Sequence, residues 1–374
     1  MLKKLFSFLL IIITASSAFG CSDEYYKSES VVFSGSMVFS ASLSGGNEKK
    51  ATDEMKNFLS AMDGIFNANI ASSEISRFNK SNAGEKMEVS SHLFAVAKEA
   101  KRVYELTGGA FNPALNSISK AWGVDKDGIT KYCYGEEKMS ALPDYEELKL
   151  LEPDTKLELL SLSESDGKYY MSKASSDFTL DFGGIAKGYC ADELKRIAKN
   201  NGVTSGLVSI SGNLMLIGSN ADKKPWSVGV VNPRPELSES QYVCGFYETD
   251  KSVVTSGDYE RYHTFVSDEN SLKICHIIDG RTLLPVGVER ANNEIGYKNS
   301  DRFVISASVI GESSMLCDAL ATALCVMKIE KGVELLKSTG YKGVIFTSDG
   351  YYAVVGEVEM AESVTLYKTA YSEL

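Results

Sequence analysis

Between Asp181 and Gly188 the chain reads Asp-Phe-Gly-Gly-Ile-Ala-Lys-Gly, a stretch with almost no side-chain volume at half of its positions. Phe178-Thr179-Leu180-Asp181 before it is patterned as a short strand, and the run after it, through Lys199, is patterned as a helix that Gly202 would stop. A glycine-rich turn opening a helix directs backbone amides and the positive end of the helix at one point, where a phosphate is well received and Lys187 adds a charge. The spacing is neither a Walker loop nor a dinucleotide fingerprint. Glycines ahead of a helix also serve as packing or turn devices, so the turn alone leaves both readings open.

The rest of the chain sets that turn in an α+β protein. From Thr52, apolar residues Met55, Phe58, Leu59, Met62, Ile65 and Phe66 recur every three or four positions, which predicts one buried helical face. A second stripe, Leu93, Val96, Ala100, Val103 and Leu106, predicts a helix from about His92 to Thr107, stopped by Gly108-Gly109. Strand patterning covers 31–44, closed by Gly45-Gly46-Asn47, and recurs at 206–210, 226–230, 252–255, 303–308, 343–347 and 351–355, with helices at about 313–328 and 330–338. Residues 124–177 read as surface elaboration with a few short strands. The expected fold is a mostly antiparallel sheet with helices packed on one face, not a doubly wound parallel sheet.

The first twenty residues are a separate object. Lys3 and Lys4 precede an apolar run, Leu5 to Ala15, shorter than the ~20 residues that span a bilayer, which is the pattern of an export signal. It ends at Ala18-Phe19-Gly20-Cys21, small residues before a cysteine, as in the site where a bacterial lipoprotein is cleaved and acylated. Lipidation of Cys21 is therefore expected, ordinary cleavage nearby being the competing reading. The expected division is a signal at 1–20, a tether at 21–30 and one globular body at 31–374, facing the periplasm or the cell exterior from a membrane. The net charge of −11, from 39 basic and 50 acidic residues, excludes a nucleic-acid partner, because no excess of cations exists to neutralise phosphates. None of the seven cysteines stands in a Cys-x-x-Cys pair, and those after Cys21 read mostly as small core residues.

Two further segments carry chemistry. In Ser313 to Thr322, a helix of small residues, Asp318 and Thr322 are four apart and share a face; a carboxylate and a hydroxyl with room around them suit magnesium, and equally suit a buried hydrogen-bonded pair. His276, in the run Ile274-Cys275-His276-Ile277-Ile278-Asp279, is a general-base candidate or a satisfied core histidine.

Taken in order, these segments resemble the ApbE family. Asp181 to Asp192 is similar to the family's Asp-Leu-Gly-Gly-Ile-Ala-Lys-Gly-Tyr-x-x-Asp, with Phe182 for leucine. The likeness continues through Ser73 to Asn79, Thr107 to Phe111, Ser209 to Asn213, Thr255 to Tyr262, His276 to Asp279 and Asp318 to Ala323. The resemblance implies a fold related to the T-fold with a flavin cleft, FAD as substrate, and magnesium held by the Ala186 carbonyl, Asp318 and Thr322. It implies FAD contacts at Met37, Ala110, Phe111, Asn112, Lys187 and His276, with His276 also taking the proton of the attacking hydroxyl. The implied reaction moves FMN from FAD to a Ser or Thr of a partner flavoprotein bearing a Ser/Thr-Gly-Ala-Thr/Ser motif, and releases AMP. An FAD pyrophosphatase and a non-catalytic FAD-binding lipoprotein are the alternatives. Asn112 replaces the usual aspartate, Val38-Phe39 replaces Gly-Thr, Asp279 to Thr282 lacks the usual proline, and Cys275 stands where many members have a second histidine.

Overall fold

The computed structural model describes residues 25–34, 37–123, 131–134, 142–234, 241–266, 271–291, 296–360 and 368–369. The signal at 1–20 and the acylation site Cys21 lie outside these residues.

One nine-stranded sheet organises the described chain. Its strands are β1 (Tyr26–Val32), β2 (Met37–Ser44), β3 (Ser205–Ile210), β4 (Asn213–Ile217), β5 (Ser252–Gly257), β6 (Val304–Gly311), β7 (Lys342–Thr347), β8 (Tyr351–Val355) and β9 (Lys368–Thr369). They lie side by side in chain order, antiparallel throughout except for the parallel β8–β9 pair. Helices fill two of the long excursions between neighbours. Between β2 and β3 come α1 (Glu48–Phe66), α2 (Glu74–Lys80), α3 (Ser91–Leu106), α4 (Asn116–Trp122), α5 (Tyr145–Leu151) and α6 (Ala186–Asn200); between β6 and β7 come α7 (Ser314–Val326) and α8 (Ile329–Thr339).

The two faces of the sheet bury different things. Phe39, Leu43, Val208, Ile210, Met215, Val254, Ala307 and Val309 face the helices and form the main core with Met55, Leu59, Val96, Leu194 and Leu320. Leu216, Val253, Ile305, Val344 and Phe346 point the other way, where Trp226–Val231 and Tyr242–Glu248 pair as a hairpin and cover them with Trp226, Val230 and Phe246. All eight residues of β6 are buried, so it reads as a continuous apolar run because both of its faces are covered. A third cluster, Leu115, Ile118, Trp122, Leu148, Leu272, Ile274 and Leu283, joins α4 and α5 to the strand Ser271–Cys275, and Trp122 Nε1 donates to Leu283 O at 2.9 Å.

Most predicted elements form with small shifts of their ends. Two differences have clear causes. Residues 26–30, read as tether, are strand: β1 pairs with β2 along its whole length, and Tyr25 before it hydrogen-bonds Ser205 Oγ at 2.7 Å and packs edge-on against Trp226. An edge strand is held by its backbone, so its polar Lys-Ser-Glu-Ser sequence left no periodic signal. Phe178 to Asp181 is not a strand. Phe178 and Leu180 are fully buried, but side chains and loops take the segment's backbone hydrogen bonds, with no neighbouring strand among the described residues. Ser211-Gly212, inside one of the recognised segments, makes the two-residue β3–β4 turn with φ of 43° and 92°, the positive values such a turn needs.

Candidate active site

The glycine turn delivers α6 to a joint with α7. Asp181 N–H donates to Pro113 O at 2.8 Å, and Asp181 Oδ1 accepts from Gly183 N–H at 2.7 Å, which folds the chain into the first turn of α6. No side chain of the preceding residue, Ile185, caps that helix. The cap comes from across the joint: Gly188 N–H donates to Asp318 Oδ2 at 3.0 Å, so a carboxylate on α7 sits at the positive end of α6. A Cβ on Gly188 would lie 2.2 Å from Ser314 O, so glycine there is a condition of the close approach.

Asp318 is 1% exposed. Lys187 Nζ lies 3.2 Å from its Oδ1 and donates to Gly183 O at 2.9 Å, bridging the turn and the carboxylate. Thr322 Oγ1 donates to Asp318 O at 3.1 Å, which uses its proton and leaves its oxygen lone pairs. Gly184 stands against that hydroxyl: a Cβ there would lie 3.1 Å from Thr322 Oγ1 and 3.4 Å from the Phe111 ring. The structure thus brings together Lys187, Asp318, Thr322, Phe111 and the turn that carries Ala186.

Asp192, the last residue of the recognised glycine segment, has a role the sequence reading missed. Its carboxylate accepts from Ser314 N–H at 2.7 Å, Met315 N–H at 3.0 Å and Ser313 Oγ at 3.0 Å, and so caps α7 from α6. The two helices cap each other, which fixes the register of Asp318 and Thr322 against Ala186 and Lys187. A polar residue repeating one helical turn beyond Gly188 was the signal for it.

His276 lies in the break between the strands Ser271–Cys275 and Ile278–Asp279. Its own N–H donates to Arg261 O at 3.1 Å, and its ring Nδ1 is also 3.1 Å from that oxygen. A carbonyl only accepts, so Nδ1 carries the hydrogen and Nε2 keeps a lone pair. Burial of the ring, then the charge of Arg261, lower its pKa to about 4, and the charge of Lys187 acts in the same direction. Lys187 also pulls on Glu260, whose pKa is raised by burial against the opposing charges of Lys187 and Arg261. One electrostatic neighbourhood therefore contains Lys187, Glu260, Arg261 and His276. Behind it, Asp258, 1% exposed, receives both Arg234 nitrogens at 2.9 and 2.7 Å and Lys273 at 3.0 Å, tying the hairpin face to the strand that leads to His276.

The remaining expected contacts are less uniform. Ala110 and Phe111 are buried, and Phe111 N–H donates to Thr107 Oγ1 at 3.0 Å. Asn112 Nδ2 donates to Thr155 O at 2.9 Å and its Oδ1 accepts from Ala114 N–H at 2.8 Å, so its carboxamide is engaged with backbone. Met37 opens β2 and packs on the main core. Cys190, Cys244, Cys275, Cys317 and Cys325 are buried free thiols, in accord with a packing role.

A large antiparallel sheet with helices packed on it, and a helix-capping carboxylate, an ammonium and a neutral imidazole gathered near one glycine turn, define an α+β protein. The chain belongs to the ApbE family, whose sequence pattern matches residues 35–345. Over 281 residues it is 28% identical to the FAD:protein FMN transferase of Vibrio cholerae, covering 75% of this chain and 74% of that one. Over 298 residues it is 29% identical to the FAD:protein FMN transferase of Treponema pallidum, covering 77% and 74%. In structure it resembles the ApbE protein of Thermotoga maritima, with a TM-score of 0.71 and 25% identity over 92% of this chain and 99% of the other. It also resembles the flavin transferase ApbE of Vibrio cholerae, with a TM-score of 0.70 at 23% identity, covering 92% and 100%.

Proposed function

We propose that this chain is a magnesium-dependent FAD:protein FMN transferase that joins FMN to a Ser or Thr hydroxyl of a partner flavoprotein and releases AMP. The observation that carries the proposal is the meeting of Asp318, Lys187 and the glycine turn at one joint, in a chain of this family.

The residues fit a magnesium ion. The donors are all oxygen, and the Asp318 carboxylate already holds one cation, the Lys187 ammonium, at 3.2 Å. Ala186 through its carbonyl, Asp318 and Thr322 would hold the ion, whose charge would neutralise that of the FAD diphosphate and of the departing AMP. Lys187 and the amides at the start of α6 bind and orient the diphosphate. The acceptor oxygen forms a bond to the FMN phosphorus as the bond from that phosphorus to the AMP oxygen breaks. The acceptor proton passes to His276 Nε2, whose hydrogen-bonded Nδ1 keeps the ring in the accepting tautomer. Cys275 does not share this step, because burial pushes its thiol up to about 12.

On the same reading, Cys21 carries lipid and holds the body at a membrane, outside the cytoplasm. The acceptor is then an exported flavoprotein with a Ser/Thr-Gly-Ala-Thr/Ser motif. Incubation with FAD, magnesium and such an acceptor tests the function: a covalent FMN adduct with one AMP per adduct supports it. AMP without adduct from a competent acceptor indicates hydrolysis, and neither product indicates a flavin carrier.

A further inference from the structure

The segment that leads into the glycine turn is held from behind by two residues outside the transfer chemistry. Lys173 is 2% exposed, and its ammonium donates to Asn79 O at 2.8 Å, Ser176 O at 2.9 Å and Phe178 O at 2.9 Å. All three of its protons are used, and no carboxylate pairs with it among the described residues. Asn79, in the last turn of α2, donates from Nδ2 to Leu180 O and accepts at Oδ1 from Leu180 N–H, both at 2.8 Å. Leu180 therefore has a side chain in place of a strand partner, three residues before Gly183.

A buried ammonium with no carboxylate in contact among the described residues is a costly way to fill space, and burial lowers its pKa below the ordinary lysine value against the opposing charges of Asp177, Asp154 and Glu85. An apolar side chain would serve packing better. What the ammonium achieves is geometric: its acceptors are one carbonyl at the negative end of α2 and two carbonyls of the segment 176–178, so it joins a helix to the approach of the turn. Asn79 continues the join at Leu180, and Asp181 completes it through Pro113. From Ser176 to Gly183 the chain has no strand neighbour among the described residues, and these side chains set where the turn begins.

We propose that Lys173 and Asn79 are positioning residues for the metal and phosphate turn, a role that rests on the transferase reading above. Neither touches substrate; both fix residues 176–180, and through them the placement of Gly183, Ala186 and Lys187 against Asp318.

The test uses the full chain, with Mn2+ as the metal probe, in Lys173→Met, in Asn79→Ala, and in Phe246→Leu, a control on the opposite sheet face. Mn2+ affinity is read by electron paramagnetic resonance, and KM for FAD and kcat are read separately with the acceptor. Loss of folded protein lowers kcat per mole and leaves the affinity of the folded fraction unchanged, whereas a displaced turn weakens binding itself. The proposal expects Mn2+ affinity to fall by about tenfold or more, with KM for FAD rising, in both clamp variants and not in the control. Unchanged Mn2+ affinity and KM in folded Asn79→Ala would overturn it, and that half-buried variant decides alone if Lys173→Met does not fold. A wild-type chain that binds Mn2+ but forms no adduct refutes the transferase reading instead, and the affinity comparison still judges the clamp.

Discussion

Gly188 and Asp318 face each other across the α6–α7 joint, the amide of one donating to Oδ2 of the other at 3.0 Å. One carboxylate thereby caps a helix and pairs with Lys187, so the packing of the two helices and the proposed metal site depend on the same contact.

That contact makes Gly188→Ala a sharp probe. The added Cβ would lie 2.2 Å from a backbone oxygen, Ser314 O, which cannot rotate away, so the helices must separate. The variant is expected to lose about 1–3 kcal/mol of stability, measured by denaturant unfolding, and to lose metal-dependent turnover beyond its loss of folded protein.

Asp318→Asn keeps the shape and an acceptor for Gly188 while removing the charge that Lys187 and a divalent ion need. Turnover at saturating FAD and magnesium is expected to fall by about 100-fold or more, with circular dichroism unchanged. A variant with undiminished magnesium-dependent rate would remove Asp318 from the metal site.

The mutual capping predicts a smaller, structural effect at Asp192. Asp192→Ala leaves two backbone amides at the start of α7 and the Ser313 hydroxyl without their acceptor. The expected cost is about 1–2 kcal/mol in denaturant unfolding.

As the base of the proposed mechanism, His276 is expected to set the acid limb of the pH profile. Its pKa, lowered to about 4 from the ordinary 6.5, keeps the imidazole neutral in the folded protein across the pH range from the ordinary value down to the lowered one. The base form therefore persists, and kcat/KM should show no inflection near the ordinary histidine value but a fall towards pH 4. The same sign governs stability: over that interval the unfolded chain binds the proton that the folded one refuses, so His276 costs stability as pH falls from 6.5 to 4. His276→Gln should remove the limb and slow transfer more than it weakens FAD binding.

Much of this was legible in the sequence because it follows from period and spacing. The apolar stripe from Met55 to Phe66 and the small-residue run of α7 each imply one structure, and Asp318 and Thr322 four apart share a face wherever that helix sits. Long-range partners left no such trace. Nothing near Gly188 announces Asp318, 130 residues away, or that Asp192 would cap α7. β1 escaped because an edge strand needs no apolar face, and Phe178 to Asp181 misled because its alternation reflects burial under Lys173 and Asn79, without a pairing strand. Asn112 engages the backbone of Thr155 and Ala114, and the first of these partners, 43 residues away, left no trace in the sequence either.

The most direct measurement of the central claim is intact-mass analysis of an acceptor flavoprotein after a single turnover with FAD and magnesium, run in parallel with the wild-type chain and with Asp318→Asn. A covalent FMN adduct and equimolar AMP are expected from the wild type, with the adduct lost in Asp318→Asn and in the wild type treated with a chelator. Equal adduct from both proteins, or adduct formation that ignores magnesium, would contradict it.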